Sequence, residues 1–264
     1  KEGPHQMRNI DFIYMINLDK RPEKFQISCN QLHPYGIFPY RFSAVNGWEL
    51  SQECLYDVGV LYEEGMQTKM LGTCYVHEEY CGPIHEIMNV LGRKYVAYKM
   101  TQGVIGIVLS HLSVLKDALD SMYETIWVME DDVHVIQNPH KISDLIDLLD
   151  KQVEKEWDIL FTDLDTKDGL GNYVECFGHA PRPNFEPKNP ERFSKKTKIS
   201  KEFRQIGSRY GTYSMIIRRS GMKKIFDFIT KYKIFLPYDM DYYLPENIRI
   251  YTVNEDIVST LIDA

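Results

Sequence analysis

The chain has 264 residues, 44% of them apolar, with 31 Lys and Arg against 38 Asp and Glu, a formal net charge of -7 and a sequence pI near 5.7. That acidic balance excludes a general affinity for nucleic-acid backbones, which needs many cationic contacts that release counterions, so any phosphate recognition must be local. The length and apolar content are enough for one large core, and a single α/β domain over residues 1–264 is expected.

Asp11 to Leu18 (DFIYMINL) is apolar and rich in β-formers, and it stops at Asp19-Lys20-Arg21-Pro22. Pro is suited to the first position of a helix, so a strand, a loop and a helix from about Pro22 to Leu32 are expected. Tyr40 to Val45 reads as a short strand before the turn dipeptide Asn46-Gly47. Residues 48–100 mix Cys, His, Tyr and Glu without a period and read as an irregular insertion with short helices. From Gly103 to Met122, Val104, Ile107, Val108, Leu112, Leu115 and Leu119 recur at three- and four-residue steps, which predicts an amphipathic helix.

Thr125 to Met129 (TIWVM) then reads as a buried strand that ends on Glu130-Asp131-Asp132. Ile142 to Leu149 predicts a helix. Trp157 to Phe161 predicts a second buried strand, again releasing acids in Asp163 and Asp165, so two neighbouring strands are expected to place carboxylates at one edge. In open α/β sheets the ligand crevice lies beyond the carboxyl ends of the strands. Residues 167–201 are rich in Gly, Pro, Asn and Lys and predict a long loop, functional or mobile. The run Lys195, Lys196, Lys198 within it reads as solvated. Thr212 to Ile217 predicts a strand, Ser220 to Thr230 a helix, and Arg249 to Val253 a last strand.

Five cysteines, Cys29, Cys54, Cys74, Cys81 and Cys176, are odd in number and irregular in spacing, which favours a reducing compartment and a cytoplasmic location. No run approaches the length of a membrane span, and the N-terminus lacks a signal-peptide pattern, although a targeting segment trimmed from this end stays open. Cys74, His77, Cys81 and His85 would fall along one helical face, unlike the two separated pairs of a tetrahedral zinc site, so no zinc is expected.

Three consecutive acids after an apolar strand repel one another, and the arrangement is comfortable only where a cation or a solvated surface relieves it. A plain acidic turn satisfies the second condition. Oxygen ligands suit Mg2+ or Mn2+, which take one or two protein carboxylates and leave the remaining positions to substrate phosphates and water. A nucleotide diphosphate meets that need, and the cation would stabilise the charge that develops as it departs.

Six motifs in order resemble glycosyltransferase family 25, which includes bacterial lipooligosaccharide and collagen galactosyltransferases. They are Ile16-Asn17-Leu18-Asp19-Lys20-Arg21; Ala44-Val45-Asn46-Gly47; Gly103-Val104-Ile105-Gly106 leading into Leu109-Ser110-His111-Leu112; Glu130-Asp131-Asp132; Gly211-Thr212-Tyr213-Ser214 with Arg219-Ser220-Gly221; and Pro237-Tyr238-Asp239-Met240-Asp241. The resemblance implies a GT-A-type nucleotide-diphospho-sugar transferase fold, a mixed central sheet flanked by helices. It implies Asp132 as a metal ligand, Asp131 as a second ligand or ribose contact, and a structural Glu130.

Asn17, Leu18 and Arg21 would line the nucleotide. Arg21 suits a diphosphate because its planar fork donates several charge-assisted hydrogen bonds, while a surface pairing with Glu23 or Asp19 is its plainer role. Ser110 and His111 would face the donor, or serve as satisfied core residues. Gly103 and Gly106 would let the backbone approach the donor, or act as ordinary turn and cap residues.

For an inverting transfer one carboxylate must take the acceptor's proton. Asp239 and Asp241 are the candidates and Asp165 the reserve; they share a direction if the segment is extended and diverge if it is helical, and each has a plainer role as a helix cap. Ile107 stands where the family pattern has Cys, and residues 48–100 do not align, so acceptor specificity departs more than the fold. The function implied is metal-dependent hexosyl transfer, galactose from a UDP-sugar, to a glycan or glycoprotein acceptor. The alternatives are another metal-dependent enzyme of nucleotide diphosphates, for which the first strand lacks a Gly- and Lys-rich loop, and an inactive binding module of the same shape.

Overall fold

The computed structural model describes residues 7–66, 69–76 and 83–261. The chain opens with strand β1 (Phe12–Asn17), helix α1 (Pro22–Leu32) and strand β2 (Tyr40–Ser43). Then come α2 (Gln52–Asp57), β3 (Val60–Leu61), β4 (Leu71–Cys74), β5 (Ile84–Ile87) and β6 (Lys94–Ala97). The central stretch is α3 (Gln102–Asp120), β7 (Thr125–Glu130), β8 (Val133–Val135), α4 (Lys141–Gln152) and β9 (Ile159–Phe161). It ends with β10 (Lys196–Lys198), β11 (Phe203–Ile206), β12 (Ser214–Arg218), α5 (Arg219–Tyr232), α6 (Tyr238–Asp241), β13 (Ile250–Val253) and β14 (Val258–Thr260).

Eight strands form one mixed sheet in the order β10-β11-β13-β9-β12-β7-β1-β2. β1 runs parallel to both β2 and β7, and β12 runs antiparallel to both β7 and β9. All six residues of β1 are buried, as a strand covered on both faces requires. Its side chains alternate between two cores: Phe12, Tyr14 and Ile16 pack with α3 and α5, and Ile13 and Met15 pack with α1 and α4. The molecule is therefore an α/β structure with a large mixed sheet flanked by helices.

The path around β1 positions the site. β1 connects through α1 to β2 on one side, and the chain returns through α3 to β7 on the other. Because α1 and α3 belong to opposite cores, the connections cover opposite faces and the strand order reverses between β1 and β7. Such a reversal opens a crevice at the carboxyl ends of the strands.

Several expectations need correction. Residues 48–100 are not mainly helical: α2 is followed by a four-stranded antiparallel sheet, β3-β6-β4-β5, whose Val60, Cys74 and Tyr95, with Met88 just after β5, share the α3 core. Its strands have two to four residues, too few to show an alternating pattern. β7 and β9 are separated by β12 rather than adjacent. The 167–201 segment is irregular for most of its length but ends in a 3₁₀ turn, Pro190–Ser194, and the edge strand β10, whose lysines protect the sheet margin. α3 is long and apolar enough to cross a membrane, contrary to expectation, yet here it packs against the 3₁₀ turn Gly47–Glu49, α5, β1 and α6. His77 and Cys81 lie outside the described residues; Cys74 and His85 lie on the paired strands β4 and β5, not on a helix, and His85 sits opposite Thr73 while Cys74 sits opposite Ile84.

Candidate functional site

A cleft of about 440 Å³ opens where β7, β1 and β2 end. β1 and the loop after it supply Ile16, Asn17, Leu18 and Arg21, α1 supplies Lys24, the segment after β2 supplies Ala44 to Trp48, and the end of β7 with the turn after it supplies Glu130, Asp131 and Asp132. α3 closes one wall with Gly103, Val104, Ile107, Ser110 and His111. The structure thus brings together the residues expected at the nucleotide and the cation.

Their roles in the cleft differ. Asn17 is buried and its amide is committed: Nδ2 donates to the Arg21 carbonyl at 2.8 Å and to Asp131 Oδ2 at 2.5 Å, and Oδ1 accepts from Arg41 Nε at 2.8 Å. It therefore orients Asp131 and the start of α1. Ser110 is likewise spent on structure, donating to the Gly106 carbonyl at 2.7 Å and accepting from the Val45 N–H at 2.8 Å. These bonds hold the 44–48 turn against α3 with no side chain between them. A Cβ on Gly47 would lie 1.7 Å from the Gln102 carbonyl oxygen, and one on Gly106 would lie 2.7 Å from the Val45 carbonyl oxygen. Arg21, in contrast, is exposed and makes no ion pair among the described residues, because Asp19 pairs instead with Arg41 at 2.9 Å.

The acids form a graded set. Glu130 Oε1 lies 3.0 Å from His111 Nε2 and accepts from Thr212 Oγ1 at 3.0 Å. Burial acts to raise its carboxyl, but those hydrogen bonds and the His111 charge outweigh it and leave the pKa below the ordinary value. His111 in turn stacks on Tyr238, with ring centroids 4.1 Å apart. Asp131 is shifted upward by burial, against the pull of Asn17 and Lys24.

Asp132 is pushed up to about 6, by burial first and then by the charges of Glu130 and Asp131. Its Oδ1 is buried without a hydrogen-bond partner. A buried carboxylate oxygen left unsatisfied beside two more acids is the kind of donor a hard cation takes, so the residues fit Mg2+ or Mn2+. No group of three or more His, Cys, Asp or Glu side chains is gathered for a metal among the described residues.

The PYDMD segment is helical, and its two acids diverge. Asp239 accepts from the Gly211 N–H at 3.3 Å, and it is raised by burial with Glu130 adding to the effect. The Thr212 turn that holds Glu130 thus also holds Asp239. Neither acid lines the cleft itself; Asp239 adjoins it through the Gly211 turn, whereas the Asp241 side chain is 0% exposed and its Oδ2 accepts from Arg182 Nη1 at 2.6 Å. A carboxylate sealed with its own cation has no access to an acceptor, so Asp241 is set aside as a base. The same holds for the reserve, Asp165, which is buried and paired with Arg204 at 2.9 Å and Lys196 at 3.4 Å. Neither Asp239 nor Asp241 caps α6 through its side chain.

Sequence reasoning missed Lys24 and Trp48. Lys24 lies three residues beyond Arg21, where α1 turns back to the same side, a spacing that was available as a signal. Trp48 follows Asn46-Gly47 directly, but no local pattern marks it as part of a cleft.

Fold and cleft together define an α/β protein that carries an acid-lined crevice at the switch point of its sheet. The profile of glycosyltransferase family 25, described as "LPS biosynthesis protein", matches residues 10–243, and the chain belongs to that family. It is similar to a "Glycosyltransferase 25 family member" of Aedes aegypti, 30% identical over 130 residues, which is 49% of this chain and 17% of the relative. A protein of the same description from Drosophila melanogaster is 30% identical over 125 residues, 47% of this chain and 16% of its own length. The matched segments thus span less than a fifth of these relatives.

Proposed function

We propose that the chain is a GT-A-type transferase that moves a hexose, galactose from a UDP-sugar, to a saccharide or protein-linked hydroxyl with inversion at the anomeric carbon. The observation that carries this reading is the unpartnered buried oxygen of Asp132 at the switch-point crevice, with Arg21 uncommitted beside it. Family membership supports the transfer of a sugar from a nucleotide donor.

Asp132 would hold Mn2+ or Mg2+, with Asp131 as a second ligand. When bound, the cation supplies charge neutralisation for the departing diphosphate. Arg21 and Lys24 add donors for the phosphate oxygens. Glu130 and His111, locked to Thr212 and Tyr238, form a rigid floor that keeps Asp131 and Asp132 in place. Asp239 accepts the proton of the acceptor hydroxyl as its oxygen bonds to the anomeric carbon, and the bond from that carbon to the phosphate oxygen breaks on the opposite face. Burial raises the Asp239 carboxyl above its ordinary value, the direction that makes it a stronger base.

The test is release of UDP from a panel of UDP-sugars, with Mn2+ and a saccharide acceptor. Turnover is expected, and Asp239→Asn should lower kcat by about 10²- to 10⁴-fold while UDP binding persists. A variant with full activity would remove Asp239 from the base role. Absence of turnover with every nucleotide sugar overturns the transferase reading.

A further inference from the structure

Of the three tryptophans, Trp127 and Trp157 are buried in the core, while Trp48 is 67% exposed. A single exposed aromatic is ordinary in a folded protein; its placement is what sets this one apart. Trp48 stands on the rim of the cleft, in the 3₁₀ turn Gly47–Glu49, and its indole lies over Gly103 at the start of α3. A Cβ at Gly103 would meet the Trp48 Nε1 at 3.1 Å, so the absence of a side chain there lets the ring settle against the helix. Val104 and the half-exposed Ile107 continue the same apolar wall. Apart from its packing on Gly103, the indole makes no hydrogen bond or ring contact with the described residues, and most of it is open to a ligand.

The two ends of the cleft are chemically opposite. Asp131, Asp132, Arg21 and Lys24 are charged, as a cation and a diphosphate require, and Asp239 lies beyond Glu130 on the side of the Gly211 turn. The transferred sugar must point toward Asp239, which sends the nucleoside the other way, toward Trp48. Gly103 and His111 are eight residues apart on α3, so about 12 Å of helix axis separates the Trp48 end from the Glu130 corner, a span suited to an extended nucleoside diphosphate.

We propose that Trp48 is the stacking platform for the nucleobase of the donor. The proposal rests on the nucleotide-sugar reading of the cleft and adds where the base sits and what recognises it. Stacking on an aromatic ring is worth about 10- to 100-fold in affinity and tolerates different bases, since each has a π face.

The test measures binding of UDP, CDP, GDP and ADP, with ribose 5-diphosphate as the base-free control, to the wild type, Trp48→Ala and Trp48→Phe in the presence of Mn2+. Indole fluorescence is recorded for each protein, and the part of the change that disappears in Trp48→Ala is the part that comes from Trp48. At least one nucleotide should quench it, and the base-free control should not. Trp48→Ala should weaken that nucleotide by about 10- to 100-fold and leave ribose 5-diphosphate unchanged, with Trp48→Phe restoring most of the loss. Equal nucleotide affinity in wild type and Trp48→Ala overturns the proposal, as does a loss confined to the KM for the acceptor. If no diphosphate binds the wild type, the donor reading itself fails.

Discussion

Strands β7 and β9 run in the same direction and release acids at the same edge of the sheet, yet the two corners are built in opposite ways. At the end of β9, Asp163 is fully buried and held by Arg209 at 2.5 Å, by Ser259 at 2.8 Å and by the Tyr213 hydroxyl, while Asp165 has Arg204 and Lys196. At the end of β7, neither Asp131 nor Asp132 has an ion pair among the described residues, and one oxygen of Asp132 has no partner at all. Burial raises a carboxyl pKa and a neighbouring cation opposes it, so a paired acid can stay charged where an unpaired one is strained. An acid supplied with its own cation is part of the scaffold; an acid denied one is available to a cation from outside.

The largest effect should come from breaking the satisfied corner. Arg209 is buried and its guanidinium is held charged by Asp163. Arg209→Ala leaves that carboxylate uncompensated and should cost about 3–5 kcal/mol in denaturant unfolding. A loss under 1 kcal/mol would mean that the network is not what holds the Ser208–Tyr213 segment.

Asp241 is the intermediate case, with one cation and one unpartnered oxygen, and burial pushes it up to about 6 against the opposing charge of Arg182. A raised folded-state pKa means that the folded chain keeps the proton longer than the unfolded one. Its stabilising contribution is complete below the unfolded value and is lost as the pH rises through the folded one. Wild type should therefore lose stability relative to Asp241→Asn between about pH 4 and about pH 6 and then run parallel to it. A constant difference across that window would contradict the assignment.

The smallest effect belongs to the unsatisfied corner. Asp132→Asn removes a buried charge that no ion pair compensates among the described residues, so thermal stability at pH 7 should hold or rise by up to about 0.5 kcal/mol. A loss of several kcal/mol would place Asp132 with the scaffold acids.

The contrast between the corners was not legible in the sequence. The apolar runs of β1 and β7, the proline at the start of α1 and the periodic face of α3 are local signals, and each produced an element close to its expected place. The acids after β7 and β9 look alike in sequence because their partners are remote: Arg209 is 46 residues from Asp163, and Arg182 is 59 from Asp241. The divergence of Asp239 from Asp241 also depended on a four-residue helix that its own sequence left open. The small β3–β6 sheet escaped because its strands are shorter than the period that identifies them, and their burial comes from packing on the α3 core.

The most direct measurement is calorimetric titration of UDP with and without Mn2+ into the wild type, Asp132→Ala and Asp165→Asn. Cation-dependent binding in the wild type, lost in Asp132→Ala and kept in Asp165→Asn, is the expected result. Binding that ignores Mn2+, or a cation dependence that survives in Asp132→Ala, would contradict the claim that the acids at the end of β7 are left open for a metal.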